Sequence, residues 1–224
     1  MEGCQTAGMT ADRDVDANRL AARSLAEGDP TGWFERLYAE AATGAAIVPW
    51  ERDAPNPLLA DWTARRGLDG TDKRALVVGC GYGVDAEHVA SLGFRTTAFD
   101  ISETAIRGAR ERFPASAVDY VVADLLDPPA EWAEQFDLVV ESITVQSMPL
   151  GVRDRAITGV AQMVAPGGEL LVIAGIHDGG EHADNPPWPL TREELESFAV
   201  GGLRLEHVER VAEAHRWRAV FRRA

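Results

Sequence analysis

Cysteine is scarce in this chain, which carries only Cys4 and Cys80 among its 224 residues. Cys80 falls in a glycine-rich turn after an apolar run, whereas Cys4 belongs to a polar N-terminal stretch. A disulfide between two such positions is not expected. The fold must therefore depend on its hydrophobic core, and 46% hydrophobic residues suffice for one α/β domain of this length.

Long apolar runs are absent as well, so no segment is expected to cross a bilayer. The first residues lack the basic-then-apolar pattern of a secretory signal. Basic residues are few, since 22 Lys and Arg stand against 36 Asp and Glu, giving a net charge of −14 at pH 7. Such a surface repels phosphate backbones. We therefore expect a cytoplasmic protein, a monomer or weak homodimer, without membrane or nucleic-acid partners.

The segment 73–102 carries the clearest local signal. An apolar strand runs into a turn with glycine at alternate positions, and the turn opens a helix over 84–92. Glycine permits positive φ and leaves out the Cβ atoms that would keep a ligand away, while the first turn of a helix offers unpaired N–H groups. The three glycines are Gly79, Gly81 and Gly83. This arrangement predicts a nucleoside-binding crevice.

The nucleoside is indicated by the spacing and by the next strand. That strand, 94–99, ends at Asp100, which is placed to accept both hydroxyls of a ribose. A dinucleotide fingerprint, G-x-G-x-x-G, would need glycine where Val84 stands. The pattern here is G-x-G-x-G, and it resembles motif I of the class I S-adenosylmethionine-dependent methyltransferases. The resemblance extends over about residues 75–176.

This resemblance implies S-adenosylmethionine as cofactor, S-adenosylhomocysteine as product and a set of cofactor-binding residues. The glycine turn, which includes Cys80, makes room for the methionyl and ribose parts. Asp100 holds the ribose hydroxyls, and Ile101 packs on the adenine. Asp124 and Leu125, which follow the third strand over 118–123, read the adenine edge, although an acid at 124 is otherwise explained as a helix cap or a turn residue.

The N-terminal region has its own signal. Two helices are predicted over 17–27 and 33–42, and a proline-rich loop follows. Its Pro49-Trp50-Glu51 resembles the Pro-Trp-Asp segment of the thiol, thiopurine and halide methyltransferase group, with Glu in place of Asp. The resemblance implies a lid in which Trp33 and Trp50 lie at the cofactor and wall the transfer pocket. The alternative is that Trp50 only fastens the loop to the core.

Strands and helices alternate from 75 to 176, which requires a parallel, doubly wound sheet, and two alternating segments near the C-terminus predict an antiparallel hairpin. A turn is predicted over 165–168, before a fifth strand over 169–176. With the resemblance, we expect an α/β fold with a mostly parallel seven-stranded sheet of order 3-2-1-4-5-7-6, strand 7 antiparallel, helices on both faces and an N-terminal helical lid. The expected units are a flexible tail over 1–16, a lid region over 17–70 and a methyltransferase domain over 71–224.

The acceptor side is predicted from position and residue type. Glu141 ends the fourth strand, where the resembled enzymes line the transfer site, and it is expected at the cofactor. Glu141 and His177 are the candidates for a general base, although the main catalytic task is positioning. The predicted substrate-binding residues are Tyr38, Trp50, Gln146 and Trp188. The aromatic residues Trp33, Tyr38, Trp50 and Trp188 predict an aromatic-walled pocket.

No metal is expected. The long polar loop over 177–189 contains two histidines and three acids, but their irregular spacing on a glycine-rich segment is poor preorganisation for a metal ion.

Together with the resemblance, these observations predict a methyltransferase that acts on a small molecule by in-line displacement, and they favour a thiol or a sulfur-bearing heteroaromatic as the acceptor. A thiol is partly ionised near neutral pH, so a strong base is optional, whereas an amine or hydroxyl needs one. The first alternative is N- or O-methylation of a small heteroaromatic natural product. The others are a nicotinamide-dependent oxidoreductase, against which Val84 and the segment 124–126 argue, and a non-catalytic module that only binds S-adenosylmethionine.

Overall fold

A computed structural model describes residues 13–224, so Cys4 and most of the predicted tail lie outside the described residues. Three helices precede the first strand: α1 (Val15–Ala26), α2 (Gly32–Ala42) and α3 (Pro57–Arg66). The start of α3 follows from its sequence. Pro57 occupies the first turn, the Asn56 side chain accepts a hydrogen bond from the N–H of Leu58, and Gly67 ends the helix in the left-handed conformation with φ +54°.

The remainder of the chain alternates between strands and helices. The strands are β1 (Arg74–Val78), β2 (Arg95–Asp100), β3 (Asp119–Val122), β4 (Phe136–Ser142), β5 (Val164–Gly175), β6 (Leu203–Val211) and β7 (Arg216–Arg223). The helices are α4 (Val84–Ser91), α5 (Glu103–Arg112), α6 (Leu150–Gln162) and α7 (Arg192–Glu196), with short 3₁₀ turns at Ala130–Trp132 and Val145–Ser147.

One seven-stranded sheet organises these elements in the order β3-β2-β1-β4-β5-β7-β6. The first five strands pair in parallel, and β7 runs antiparallel to both β5 and β6. The predicted order and the antiparallel seventh strand are confirmed. In β1, Leu76 and Val78 pack in one core cluster and Ala75 and Val77 in another, which is why the strand reads as a continuous apolar run.

The segment predicted as a turn over 165–168 lies instead within β5. The pairing of β4 with β5 passes from Phe136 opposite Val164 directly to Leu138 opposite Glu169. The extra residues of β5 form a bulge, with Gly167 at φ +74°. The glycine pair after a proline predicted a turn that reverses the chain. The chain does not reverse there, because β5 pairs in parallel with β4 both before and after the bulge.

Helices α1 and α2 form a third core cluster of their own. Leu20, Trp33, Leu37 and Tyr38 pack there, together with Ala105 of α5. By contrast, α3 packs Leu59 and Trp62 into the core of the sheet. In the part of the chain that is described, no helix is long and apolar enough to cross a membrane.

Candidate active site

A cleft opens at the carboxyl ends of β1, β2 and β4, beneath α2 and the loop that follows it. The space between its walls is ≈ 940 Å³, including the open solvent at its mouth. Its floor is the turn after β1, and its two sides come from the ends of the other strands and from the N-terminal region. The residues that line it include Phe34, Tyr38, Trp50, Glu51, Arg52, Gly79–Asp85, Phe99–Ile101, Ala123, Leu125, Ser142–Thr144, Ser147 and Met148.

The turn after β1 needs glycine for two reasons. Gly79 and Gly81 have φ of +57° and +52°, in the left-handed region that other residues rarely adopt. A Cβ on Gly81 would also lie 2.7 Å from the hydroxyl oxygen of Tyr38, and one on Gly79 would lie 2.3 Å from the Thr144 Oγ1. The turn therefore presents bare backbone to the cleft, and the half-buried Cys80 lies within it. Burial raises the pKa of the Cys80 thiol well above its usual range, so it stays protonated.

Asp100 ends β2 as a buried carboxylate held at a fixed angle. Its Oδ2 accepts a hydrogen bond from the N–H of Gly81 and its Oδ1 accepts one from the N–H of Ser102, both at 3.0 Å. Burial raises the pKa of Asp100 to about 6, although these two N–H groups oppose the rise. Each oxygen keeps a further lone pair, and the residue lines the cleft. This donor-free carboxylate beside side-chain-free backbone fits the two hydroxyls of a ribose.

The residues predicted at the adenine divide into two groups. Ile101 and Leu125 line the cleft and, with Ala123, give it an apolar side. The side chain of Asp124 lies outside the lining, and its Oδ1 accepts a hydrogen bond at 2.8 Å from the N–H of Leu126. That carboxylate therefore stabilises its own turn, one of the alternatives that the sequence left open.

Aromatic side chains from the N-terminal region line part of the cleft. Phe34, Tyr38 and Trp50, called here the aromatic wall, all line it. The Trp50 indole N–H donates to the Tyr38 hydroxyl at 2.7 Å. Burial raises the pKa of Tyr38 well above its usual range, so the phenol keeps its proton as a donor. Trp33 lies behind the wall, buried, with its ring 4.0 Å from that of Phe34 and 5.9 Å from that of Trp50.

Gln146 and Trp188, predicted to bind substrate, lie outside the lining of the cleft. Gln146 is buried, and its Oε1 accepts a hydrogen bond from the N–H of Gly175 at the end of β5. Its carbonyl oxygen accepts one at 2.7 Å from the N–H of Trp188, whose indole N–H donates to the Ala183 carbonyl at 2.6 Å. These contacts fasten the loop after β5 to the sheet.

The two predicted base candidates also lie outside the lining. Glu141 is buried, its Oε1 accepts a hydrogen bond at 2.9 Å from the N–H of Val145, and burial raises its pKa to about 7. His177 stacks on His182 with ring centroids 4.3 Å apart, and its Nδ1 accepts a hydrogen bond from the N–H of Gly179. Within residues 13–224, no group of three or more histidine, cysteine or acidic side chains is placed to hold a metal.

Sequence reasoning missed Glu35 of α2. Its Oε2 accepts hydrogen bonds from the Ser102 hydroxyl at 2.6 Å and from the N–H of Thr104 at 3.1 Å, and its Oε1 accepts one from the Thr104 hydroxyl at 2.6 Å. Burial alone would raise its pKa, but these bonds outweigh burial and lower it. Glu35 thus caps α5 and joins α2 to the end of β2. No local pattern signals a cap supplied from 67 residues away.

Two further residues of the cleft were missed. Arg52 lines it, and its NH2 lies 3.6 Å from the Oδ2 of Asp85 in the first turn of α4. Ile143 lines it with φ +70°, a conformation that is strained for a β-branched residue. Nothing in the sequence could signal this conformation, because isoleucine disfavours it.

Comparisons with known proteins agree with this geometry. Residues 75–168 match the family model described as a methyltransferase domain. The chain is 28% identical over 176 residues to a probable thiol methyltransferase of Arabidopsis thaliana, covering 75% of this chain and 76% of that one. It is 40% identical over 121 residues to a ubiquinone biosynthesis O-methyltransferase of Aromatoleum aromaticum, covering 52% of this chain and 49% of that one, so it spans about half of that relative's length.

Among solved structures, one described as "Conversion of a Disulfide Bond into a Thioacetal Group during Echinomycin Biosynthesis" superposes with a TM-score of 0.68 at 26% identity, covering 85% of this chain and 93% of that one. The fold, the bare glycine turn, the carboxylate that ends β2 and the family match point to one class. Residues 75–168 are therefore a methyltransferase domain of class I type, with S-adenosylmethionine as its cofactor.

Proposed function

We propose that this protein methylates a small-molecule thiol or sulfur-bearing heteroaromatic. The observation that carries the proposal is the chemistry of the cleft lining. The described residues that line the cleft include no histidine and no lysine. Its acids are engaged elsewhere: both oxygens of Asp100 accept backbone hydrogen bonds, and Asp85 accepts one from the N–H of Asn56 at 2.6 Å and lies beside Arg52. Glu51 is exposed at the mouth.

A cleft without a free base suits an acceptor that ionises by itself. Thiols do so partly near neutral pH, whereas alcohols and phenols do so far less. S-adenosylmethionine, when bound, supplies a methyl group that is already activated towards a nucleophile. The residues of the chain then have to hold and align the reactants, and alignment of this kind is worth on the order of 7–11 kcal/mol.

The proposed roles follow from position. Gly79, Gly81 and Asp100 would hold the methionyl and ribose parts, and Ile101 and Leu125 would pack on the adenine. The aromatic wall would exclude water and take the apolar body of the acceptor, with the Tyr38 hydroxyl as a donor. In this proposal α1, α2 and the Trp50 loop act as the lid, and Trp33 supports the wall from behind rather than contacting the acceptor.

Two of the similar proteins support a sulfur acceptor through their descriptions, one as a thiol methyltransferase and the other through the conversion of a disulfide into a thioacetal. The third, an O-methyltransferase, is the reason to keep oxygen as the competing acceptor. Its likeness covers about half of each chain, whereas the thiol methyltransferase covers three quarters.

The test uses three acceptors of one shape. Thiophenol, phenol and aniline differ mainly in the accepting atom, so a labelled-methyl assay with equal concentrations compares sulfur, oxygen and nitrogen directly. We expect thiophenol to react about tenfold faster than the others or more, because it alone is largely ionised without a base. Preference for phenol would refute the sulfur proposal. Binding of S-adenosylhomocysteine without transfer to any acceptor would indicate a non-catalytic module.

A further inference from the structure

Glu141 is an acidic residue buried in the core of the sheet. Its register partners are Val78 of β1 and Val172 of β5, and the residue is 1% exposed. An acid among valines costs free energy unless its oxygens find partners. Such a residue needs an explanation beyond packing.

The two oxygens of this carboxyl group differ in their hydrogen bonding. Oε1 accepts a hydrogen bond from the N–H of Val145 at 2.9 Å. Among the described residues, Oε2 has no hydrogen-bond partner, and it is shielded from solvent. The N–H groups of Val145 and Thr144 favour the charged form, but burial dominates and brings the pKa to about 7. Its register partners Val78 and Val172 and its hydrogen-bond donor Val145 carry no titratable side chain, and no charged group contributes to this pKa.

The partner that Glu141 does have belongs to the turn between β4 and α6, residues 143–148. Ile143 begins this turn with φ +70°. Its carbonyl accepts a hydrogen bond from the Ser147 hydroxyl at 2.9 Å, and the Thr144 hydroxyl donates to the Val78 carbonyl at 3.1 Å. Ile143, Thr144, Ser147 and Met148 all line the cleft.

The buried Glu141 carboxylate is therefore hydrogen-bonded to the backbone of a turn that lines the cleft. A strained backbone persists only where its surroundings hold it, and a charged acceptor holds an N–H more firmly than a neutral one. We propose that Glu141 is a positioning residue: without touching the acceptor, it holds the turn 143–148 in the shape that aligns the acceptor for methyl transfer.

This proposal rests on the proposed function, but one of its readouts does not. Amide hydrogen exchange of the turn 143–148 measures how firmly Glu141 holds the turn, and it needs no known acceptor. In Glu141→Gln and Glu141→Leu we expect these amides to exchange about tenfold faster, with the rest of β4 unchanged. Glu131→Gln, which changes an exposed acid, is the matched control. Unchanged exchange of the turn would overturn the proposal.

Turnover supplies the second readout. In Glu141→Gln we expect kcat at pH 8 to fall about tenfold, with the affinity for S-adenosylhomocysteine within about twofold of the parent. The ratio of parent to variant kcat should be near one at pH 6 and should increase through pH 7. The reason is that only the ionised carboxylate holds the N–H of Val145 more firmly than the neutral amide of the variant does. A constant ratio, or a loss of affinity without loss of kcat, would also overturn the proposal. Absence of turnover in the parent, with faster exchange in the variants, would refute the proposed function alone.

Discussion

Asp100 offers a prediction whose magnitude follows from its surroundings. Its pKa is about 6 in the folded protein, against 3.8 for an unperturbed carboxyl. Between these values the folded state holds a proton that the unfolded state has released, so stability falls as the pH rises. A difference of about 2 pH units at 1.36 kcal/mol each gives about 3 kcal/mol. Asparagine has no charge to bury, so Asp100→Asn should lack this dependence.

Urea unfolding of the ligand-free protein at pH 4, 5.5 and 7 measures this directly. Relative to the parent, Asp100→Asn should be the less stable protein at pH 4, since an amide nitrogen faces one of the two backbone N–H groups. Between pH 4 and pH 7 the difference in unfolding free energy should shift in favour of the variant by about 2 kcal/mol, because at pH 4 the unfolded carboxyl is itself partly protonated. Asp119→Asn, which changes an exposed acid of β3, is the control and should show neither effect.

Calorimetry with S-adenosylhomocysteine tests the proposed ribose-binding role of Asp100. The variant should bind about 30-fold more weakly at pH 7.5, because a lost hydrogen bond to a charged acceptor costs about 2 kcal/mol. A stability difference that does not change with pH would refute the argument from burial of charge. Unchanged affinity would refute the ribose role of Asp100.

Three further substitutions test the cleft and its cover. Gly81→Ala should lose about 1–2 kcal/mol more stability than Gly44→Ala by urea unfolding, because both have positive φ but only the Gly81 Cβ meets another group; equal losses would contradict the close approach. Tyr38→Phe should lower the unfolding free energy by about 1 kcal/mol, since the Trp50 N–H loses its acceptor, and an unchanged denaturation midpoint would contradict that. Glu35→Ala should cost about 2 kcal/mol at pH 7. Because the folded pKa of Glu35 is lowered from 4.5, the charge-dependent part of this cost should shrink as the pH falls from 4.5 through the folded pKa, and a cost equal at pH 3 and pH 7 would refute a role for the charge.

Much of the fold was predictable because its signals are local. Val77 and Val78 lie in an apolar run that only a strand buried on both faces explains. Thr191 and Glu194 have the spacing of a capping box, and the structure contains that capping box. The bulge over 165–168 was not predictable, since it depends on how β5 pairs with β4.

The residues predicted at the cleft also divide into those that the sequence could place and those that it could not. Gly81 and Asp100 could be placed beforehand, because carboxyl ends of adjacent parallel strands meet at one edge. Gln146 and Trp188 could not, because position after a strand does not say which way a loop side chain turns. Both turn into the packing between the sheet and the loop after β5.

By itself, the sequence determined the alternation of elements, the glycine turn and the acid at the end of the second strand, since backbone conformation and periodicity are local properties. Only the tertiary structure decided that Glu35 caps α5, that Tyr38 accepts the Trp50 N–H above Gly81, and that Glu141 lies under a strained turn rather than in the cleft. These contacts join residues through three-dimensional packing, and no local periodicity reports which side chain will meet which backbone group.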